Sequence, residues 1–227
     1  MNLNEFAPWQ CPLCGAPLAG DVSLKCARNH SFDRAKEGYW HLLPVQSMRT
    51  KAPGDSKEMV AARRAFLNAG YYGIFGRAAG ELCLEYGQPA ARYAGASSYS
   101  QPVRTGWADL LLNCFSPFAQ EEFQRVLRPG GRMIYVVPGA EHLYQMKAVL
   151  YDTPYKNPVQ EVAYPGFRAI GEREVQGTIT VPHDQLEALF AMTPYYWKTP
   201  RDGAARLAAR PELTTDIAFR FLLFEKL

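Results

Sequence analysis

The pattern of apolar and polar positions predicts two consecutive helices before the middle of the chain. Met59, Ala62 and Phe66 recur at i, i+3 and i+7, the spacing of one helical face. Residues 55–58 begin with Asp and end with Glu, which is typical of a capping box, and Gly70 is expected to end this helix as its C-cap. The second helix is expected to end at Gly87, and its apolar face is formed by Tyr72, Phe75, Ala79, Leu82 and Tyr86.

Two later apolar runs, at 107–115 and 132–138, predict buried strands. A short helix at 120–127 and an Arg-Pro-Gly-Gly turn at 128–131 separate the two strands. A further helix is predicted at 141–151. Four of its residues fall at helical spacing: Leu143, Met146, Lys147 and Leu150.

This order of elements predicts an α/β fold. Strand, helix, turn, strand and helix form half of a doubly wound sheet, whose ligands sit at the carboxyl ends of the strands, here 113–117 and 138–142. Asn113, at the tip of the first strand, has two interpretations: it hydrogen-bonds the edge of a substrate base, or it caps the strand end. The last third adds two predicted strands and a helix, at 174–181, 214–224 and 184–191.

Length and composition are those of an ordinary globular protein. The 227 residues, 48% hydrophobic and 21% charged, suffice for one main domain and a small module, and we predict divisions at 1–45, 46–70 and 71–227. No apolar run approaches the eighteen or so residues that span a bilayer, so no membrane partner is expected. The first nine residues do not resemble a signal peptide, and the five cysteines fit a reducing cytoplasm.

The densest chemical signal lies between Cys11 and His30. Cys11 and Cys14 are two residues apart, eleven residues follow, and Cys26 precedes His30 by three intervening residues. This spacing lets two short turns present four ligands to one tetrahedral zinc ion, and four protein ligands imply a structural site. A disulfide, a thioredoxin-like redox pair and scattered core cysteines are weaker alternatives, because neither a leader nor a flanking βαβ pattern accompanies the motif.

Positive charge is concentrated near this motif. Between Lys25 and Arg64 there are nine Lys or Arg residues and four Asp or Glu residues, whereas the remainder is slightly negative. Arg34 and Lys36, beside Tyr39, are candidates for binding phosphate and stacking a base. Such a distribution suits a nucleic-acid backbone, although a solvated basic surface without a partner has the same signature.

The chain resembles the zinc-containing 23S ribosomal RNA guanine-N1 methyltransferases. The resemblance runs in order along nearly the whole chain and is most specific in the first third. It rests on these motifs: Cys11-x-x-Cys14, Cys26-x-x-x-His30, Phe32-Asp-x-Ala-Lys-Glu-Gly-Tyr39, Leu42-Leu-Pro44, Gly54-Asp-Ser56, Arg63-Arg64-Ala-Phe-Leu67, Phe115-Ser-Pro117, Leu127-Arg-Pro-Gly-Gly131, Pro138-x-x-x-His142-Leu143 and Met192-Thr-Pro194.

The resemblance implies a zinc-ribbon-like module on a Rossmann-like class I methyltransferase domain. It implies S-adenosyl-L-methionine as cofactor, structural Zn²⁺, a cytoplasmic enzyme, and guanine N1 in a hairpin loop of 23S rRNA as the target. It also suggests a homodimer. Carried over by residue, zinc would sit on Cys11, Cys14, Cys26 and His30, and Tyr72 and His142 would contact the cofactor.

The sequence departs from this family at one place. Between Leu84 and Arg92 it has no glycine loop to cradle a cofactor, and no acidic residue follows at the distance that suits its ribose. At least one βαβ unit, about 30 residues or more, is missing. A second hypothesis is therefore a zinc-containing RNA-binding protein that has lost methyl transfer. A DNA-binding zinc finger is a poor third, because the second histidine and the recognition helix are lacking.

Overall fold

The computed structural model describes residues 8–44, 56–87, 94–159 and 163–227. The first range forms a small module with three short strands, β1 (Ser23–Lys25), β2 (Ser31–Asp33) and β3 (Trp40–His41). β1 and β2 pair as an antiparallel hairpin, with Leu24 opposite Phe32. β3 pairs in parallel with a two-residue strand of the later chain, β4 (Ala94–Gly95), and this pairing joins the module to the rest of the protein.

The two predicted helices are confirmed as α1 (Lys57–Asn68) and α2 (Gly73–Tyr86). The N-cap of α1 lies one residue later than predicted: the Ser56 hydroxyl accepts a hydrogen bond from the amide of Met59, so Ser56 is the N-cap. Asp55 and the predicted linker lie outside the described residues. The C-cap is Ala69 rather than Gly70; Gly70 follows it at φ +84°, where a residue without Cβ is favoured.

The central part contains β5 (Ala108–Cys114), α3 (Gln120–Val126), β6 (Leu127–Pro138) and α4 (Tyr144–Leu150). α4 begins three residues later than predicted, because Leu143 adopts a left-handed backbone with φ 56°. β6 begins earlier than predicted and contains the Arg-Pro-Gly-Gly run, which produces an irregular register against β5.

The last third adds β7 (Phe167–Pro182), α5 (His183–Ala191), a 3₁₀ helix (Pro194–Trp197), α6 (Arg201–Ala208) and β8 (Glu212–Lys226). Both strands are longer than the sequence pattern predicted. β7 was under-predicted because its side chains are mostly exposed or half-buried, so only part of it carries an apolar pattern. Neither the 3₁₀ helix nor α6 was predicted.

These strands form one sheet in the order β5–β6–β8–β7. β5 and β6 are parallel, whereas β8 is antiparallel to both of its neighbours. The parallel pair confirms the predicted half of a doubly wound sheet, and the antiparallel β7–β8 pair completes a mixed one. Alternate residues of β6 bury different faces: Ile134 and Val136 join α1, α2, α4 and α5 in the main core, and Met133 packs with Phe123 of α3 on the other side.

β5 was predicted to be a buried strand, and this is wrong for the residues that the structure describes. It pairs with β6 alone and forms an edge of the sheet. Of its residues only Asn113 is buried, and Leu112 is 41% exposed. An apolar cavity of about 450 Å³ runs along this edge, bounded by Trp9, Val103, Trp107 and Leu110 among others.

The division of the chain at residues 45 and 70 stays a prediction. The first-range cluster around Trp9, Leu18 and Trp40 is packed separately from the main core and includes Val103. In the part of the chain described by the structure, no helix is both long and apolar enough to cross a membrane.

Candidate functional site

The four predicted metal ligands meet at one point. The ligand atoms of Cys11, Cys14, Cys26 and His30 all lie within 4.8 Å of one another. His30 Nδ1 lies 3.3 Å from Cys11 Sγ and 3.4 Å from Cys26 Sγ, and the sulfurs of Cys14 and Cys26 are 3.8 Å apart. Tetrahedral zinc with bonds of about 2.3 Å to sulfur and about 2.0 Å to nitrogen requires separations of about 3.8 Å and about 3.5 Å. The cluster therefore fits a structural Zn²⁺.

Two tight turns build this centre. In the first, the amide of Gly15 donates to the carbonyl of Cys11, and Gly15 has φ +70°. In the second, the amide of Asn29 donates to the carbonyl of Cys26, and Asn29 has φ 62°. Desolvation raises the pKa of Cys26, but hydrogen bonds from the backbone at Arg28 and His30 outweigh it and lower this pKa to about 7. A thiolate, which is the form that binds zinc, is thereby favoured at Cys26.

Trp40, which follows the metal motif, belongs to the core of the first module. Its side chain is buried, and its ring lies 6.4 Å from that of Trp9. The guanidinium of Arg34 sits 5.1 Å from the centre of the Trp40 ring and donates to the carbonyl of Gly38. Arg34 and Lys36 remain exposed on this surface.

Tyr72 and His142, predicted separately, lie together at the carboxyl end of β6. Tyr72 immediately precedes α2, and His142 lies in the loop 139–143 that joins β6 to α4. The Tyr72 hydroxyl is 3.3 Å from His142 Nε2. The rings of Tyr72 and His142 both pack edge-on against Phe219 of β8, at 4.9 Å between centroids.

The loop 139–143 is fixed by the neighbouring strand. The amide of Gly139 donates to the carbonyl of Ala218, and the amide of Ala218 donates to His142 Nδ1. Burial, followed by the positive charge of Lys147, lowers the pKa of His142 to about 4. The ring is therefore neutral at pH 7. Because Nδ1 accepts the Ala218 amide, the ring proton resides on Nε2, which donates to Tyr72.

Asn113 is buried at the tip of β5. Its Nδ2 donates to the carbonyls of Ser116 and Pro117, at 3.2 and 3.4 Å. These bonds correspond to the strand-end cap, the second of its two predicted interpretations. Contact with a substrate base stays a prediction.

Three residues around His142 were not predicted as site residues. Lys147 is fully buried, Asn157 bonds the loop 139–143, and Tyr195 lies close enough to Tyr72 to help raise its pKa. Burial is the larger cause of that rise, so Tyr72 is a neutral phenol at pH 7. One signal was available in the sequence: Lys147 shares the helical spacing of Leu143, Met146 and Leu150, and a cation on an apolar face indicates an unusual environment.

The fit to a nucleoside cofactor is partial. Tyr72 and His142 form one wall at the strand ends, where ligands of such sheets bind. The glycine loop that would cradle the cofactor is missing from the sequence between Leu84 and Arg92, and among the described residues no further strand pairs with the outer edge of β5.

Comparison with known proteins shows the family to which the chain belongs. The family model described as "RlmA, N-terminal", a zinc ribbon, matches residues 9–51. The 23S rRNA (guanine(748)-N(1))-methyltransferase of Streptomyces fradiae is 32% identical, over 96% of this chain and 98% of that protein. This chain belongs to the 23S rRNA (guanine-N1)-methyltransferase family. Within that family, a Bacillus subtilis protein provisionally given the same activity is 24% identical over 94% of this chain and 96% of its own.

The pairwise comparison also shows a difference in length from the Streptomyces fradiae enzyme. The alignment with that enzyme extends over 276 positions, whereas 96% of the 227 residues is about 218, so roughly 58 residues of that enzyme have no counterpart here, more than one βαβ unit. The missing cofactor loop and the open edge of β5 agree with this difference.

Among solved structures, one described as a methyltransferase from Bacillus halodurans is 12% identical and covers 76% of this chain and 80% of its own, with a TM-score of 0.34. A second, described as a sarcosine dimethylglycine methyltransferase from Galdieria sulphuraria, is 14% identical with a TM-score of 0.30 and covers 64% of this chain and 63% of its own.

Proposed function

We propose that this protein methylates N1 of a guanine in a hairpin loop of 23S rRNA, with S-adenosyl-L-methionine as methyl donor. The observation that carries the proposal is the similarity along almost the full length of the Streptomyces fradiae enzyme. The relatives are named as methyltransferases, so the alternative of an RNA-binding protein without methyl transfer is not favoured. A ribosomal RNA substrate supports a cytoplasmic location, and a homodimer remains part of the proposal.

Tyr72 and His142 are proposed to contact the cofactor. The protonated Nε2 of His142 donates to the Tyr72 oxygen, so the hydroxyl hydrogen of Tyr72 can point to another acceptor. Among the described residues no second hydrogen-bond partner of this hydroxyl is seen. The pair thus presents a neutral, oriented donor to a polar group of the cofactor, which supplies an electrophilic methyl group when bound.

The proton on guanine N1 requires an acceptor, because neutral guanine bears a hydrogen there. Three groups at the site are unsuited to accept it. His142 carries its proton on the nitrogen that faces the site, Tyr72 is a neutral phenol whose pKa is raised by burial, and the side chain of Asn113 is an amide, which is not a base. We therefore assign these residues to binding and orientation rather than to proton removal.

Recognition of RNA is supported by exposed aromatic and basic side chains near the site. In the 3₁₀ helix, Tyr195 faces the interior, whereas Tyr196 and Trp197 are exposed, the latter by 71%. Exposed Lys198 follows directly. An exposed aromatic ring beside cations suits stacking of an unpaired base and contact with its phosphate. A loop guanine is a less costly target than a paired one, since it is already unstacked.

A methylation assay on synthetic hairpins tests the function. A 23S rRNA hairpin with the guanine that corresponds to position 748 is incubated with protein and S-adenosyl-L-methionine, and N1-methylguanine is measured by nuclease digestion and mass spectrometry. We expect methylation of this hairpin and none of a matched hairpin with adenine at that position. RNA binding without methylation, even at saturating cofactor, would support the RNA-binding alternative instead.

A further inference from the structure

Lys147 is a cation enclosed in the main body of the protein. Its side chain is fully buried, and among the described residues its ammonium group forms no direct ion pair; the charge of Glu141, which pairs with Lys156, acts on it from a longer distance. Nζ donates to the carbonyl of Tyr155 at 3.1 Å and to Oδ1 of Asn157 at 2.7 Å. It also lies 4.6 Å from the centre of the Tyr155 ring and 5.6 Å from that of Tyr195. A buried ammonium is costly, so its retention requires a gain elsewhere.

Asn157 connects Lys147 to the loop 139–143 through hydrogen bonds. Its Nδ2 donates to the carbonyl of Gly139 at 2.9 Å and to that of His142 at 3.2 Å. Its backbone amide donates to the carbonyl of Ala140 at 2.9 Å. Asn157 therefore donates hydrogen bonds to three backbone carbonyls in the segment just before α4.

The orientation of the Asn157 amide depends on Lys147. An amide group has an acceptor oxygen on one side and a donor nitrogen on the other. Since the ammonium can only donate, it fixes Oδ1 toward α4 and thereby directs Nδ2 toward the loop. Without the cation, the flipped amide would lose both donated bonds to Gly139 and His142.

The same cation connects the loop with the 3₁₀ helix. Tyr195, whose ring faces the ammonium, lies near Tyr72, and Tyr72 contacts His142. Lys147 and Asn157 together therefore support the backbone of His142. The contact between Lys147 and Tyr195 supports Tyr72, the residue that contacts the His142 ring.

We propose that Lys147 and Asn157 are positioning residues, which hold the loop 139–143 so that His142 and Tyr72 face the cofactor. The proposal rests on the proposed function only in naming the cofactor; the placement of His142 can be tested without it. It assigns to the buried lysine a role in shaping the binding wall rather than in touching the substrate.

Two variants separate positioning from general stability. Lys147→Met keeps the length of the side chain and removes the charge. Asn157→Asp keeps the size and the Lys147 contact but removes the two donors to Gly139 and His142. Lys226→Met is the matched control, because the ammonium of Lys226 likewise donates two hydrogen bonds, here to the backbone carbonyls of Gln124 and Leu127, at the far end of β8.

The first readout is the imidazole of His142, followed by NMR through a pH titration. Lys147 is the charged group that acts on it, and Tyr72 and Tyr195 are the titratable groups nearby. We expect both site variants to shift the ring resonances and to raise the pKa of His142, and Lys226→Met to leave them unchanged. Unchanged His142 resonances in a folded Asn157→Asp protein would overturn the proposal, even if Lys147→Met fails to fold.

The second readout is the dissociation constant of S-adenosyl-L-methionine by calorimetry. We expect it to rise at least tenfold in both site variants and less than twofold in Lys226→Met. If the unchanged protein binds no cofactor, the proposed function fails, and the His142 titration still decides the positioning role. A normal dissociation constant in both folded variants would overturn the positioning role while leaving the proposed function intact.

Discussion

The Tyr72 hydroxyl lies 3.3 Å from Nε2 of His142, although the two residues are 70 positions apart in the chain. The contact depends on three elements: α2 presents Tyr72, β6 leads into the loop that carries His142, and β8 fixes the imidazole through the amide of Ala218. The result is a neutral histidine that donates a hydrogen bond to a tyrosine. This relationship links the two residues proposed to hold the cofactor.

Removing the Tyr72 hydroxyl is expected to weaken cofactor binding without unfolding the protein. Tyr72→Phe retains the ring contacts with Phe66 and Phe219 but leaves the buried Nε2–H of His142 without its acceptor, so the free energy of unfolding should fall by about 1–3 kcal/mol. The dissociation constant of S-adenosyl-L-methionine, measured by calorimetry, should rise about tenfold, the equivalent of one hydrogen bond. Tyr71→Phe is the control, because Tyr71 also stacks on Phe66. Equal effects of the two changes would contradict the assignment.

Acid should destabilise the protein through His142. Its pKa is lowered from 6.5 to about 4 by burial and then by Lys147, so the unfolded chain binds more protons between these values. The contribution of His142 to the free energy of unfolding is complete above about pH 6.5 and is lost as the pH falls toward 4. This loss lowers the free energy of unfolding by ~3 kcal/mol. Urea unfolding at several pH values measures the slope, and His142→Gln should make it shallower. If the free energy of unfolding depends on pH with the same slope in the variant and in the unchanged protein, His142 is not a buried neutral group.

Removal of zinc should loosen the first module. Its three short strands surround a small core, so the metal contributes much of its folding free energy. Trp9 and Trp40 belong to this core, so chelation should reduce the near-UV circular dichroism and shift the tryptophan emission to longer wavelength. Cys14→Ser should cause the same change before any chelator is added. Signals that survive chelation and loss of the metal would exclude a structural role for zinc.

Supplying the residues that the relatives possess should complete the sheet. Roughly 58 residues of the Streptomyces fradiae enzyme lack a counterpart here, and the sequence lacks the cofactor loop between Leu84 and Arg92; we expect that inserting them between Tyr86 and Ala94 adds a strand beside β5. We expect a higher melting temperature and at least tenfold tighter cofactor binding. A Gly/Ser insert of equal length is the control, since it adds chain without forming a strand. If both inserts have the same effect, pairing of a further strand with β5 does not govern cofactor binding.

Trp197 should contribute to RNA binding. It is 71% exposed and precedes Lys198, so Trp197→Ala should weaken binding of a 23S rRNA hairpin by the 1–3 kcal/mol typical of one stacked base, about 5- to 150-fold. Trp107→Ala is matched in size and lies in the cavity beside β5, at 40% exposure. Filter binding at fixed salt compares the two. If Trp107→Ala weakens RNA binding and Trp197→Ala does not, the RNA binds on the surface beside β5.

Local patterns gave correct predictions wherever neighbours in sequence decide the structure. The spacing of Cys11, Cys14, Cys26 and His30 brought all four ligand atoms within 4.8 Å of one another, because each pair lies in one short turn. The apolar faces of α1 and α2 were also predicted correctly. The cap of α1 was misplaced by one residue, since both Asp55 and Ser56 have side chains that can accept an amide hydrogen bond.

Predictions failed where a strand's neighbours decide its environment. β5 has the composition of a buried strand, yet it lies at an edge, and composition cannot reveal which partner strands a chain lacks. β7 was partly missed for the opposite reason: its long pairing with β8 is held by backbone hydrogen bonds and needs few apolar side chains.

The sequence by itself determined the zinc centre, the α/β order of the elements, the family and the missing cofactor loop, because spacing, periodicity and motif order are properties of neighbouring residues. Only the tertiary structure decided which distant groups meet. It placed Tyr72 against His142, buried Lys147 behind the loop, and turned Asn113 toward its own turn. Proton location and amide orientation at this site depend on contacts across β6, β8 and α4, and those contacts exist only once the chain is packed.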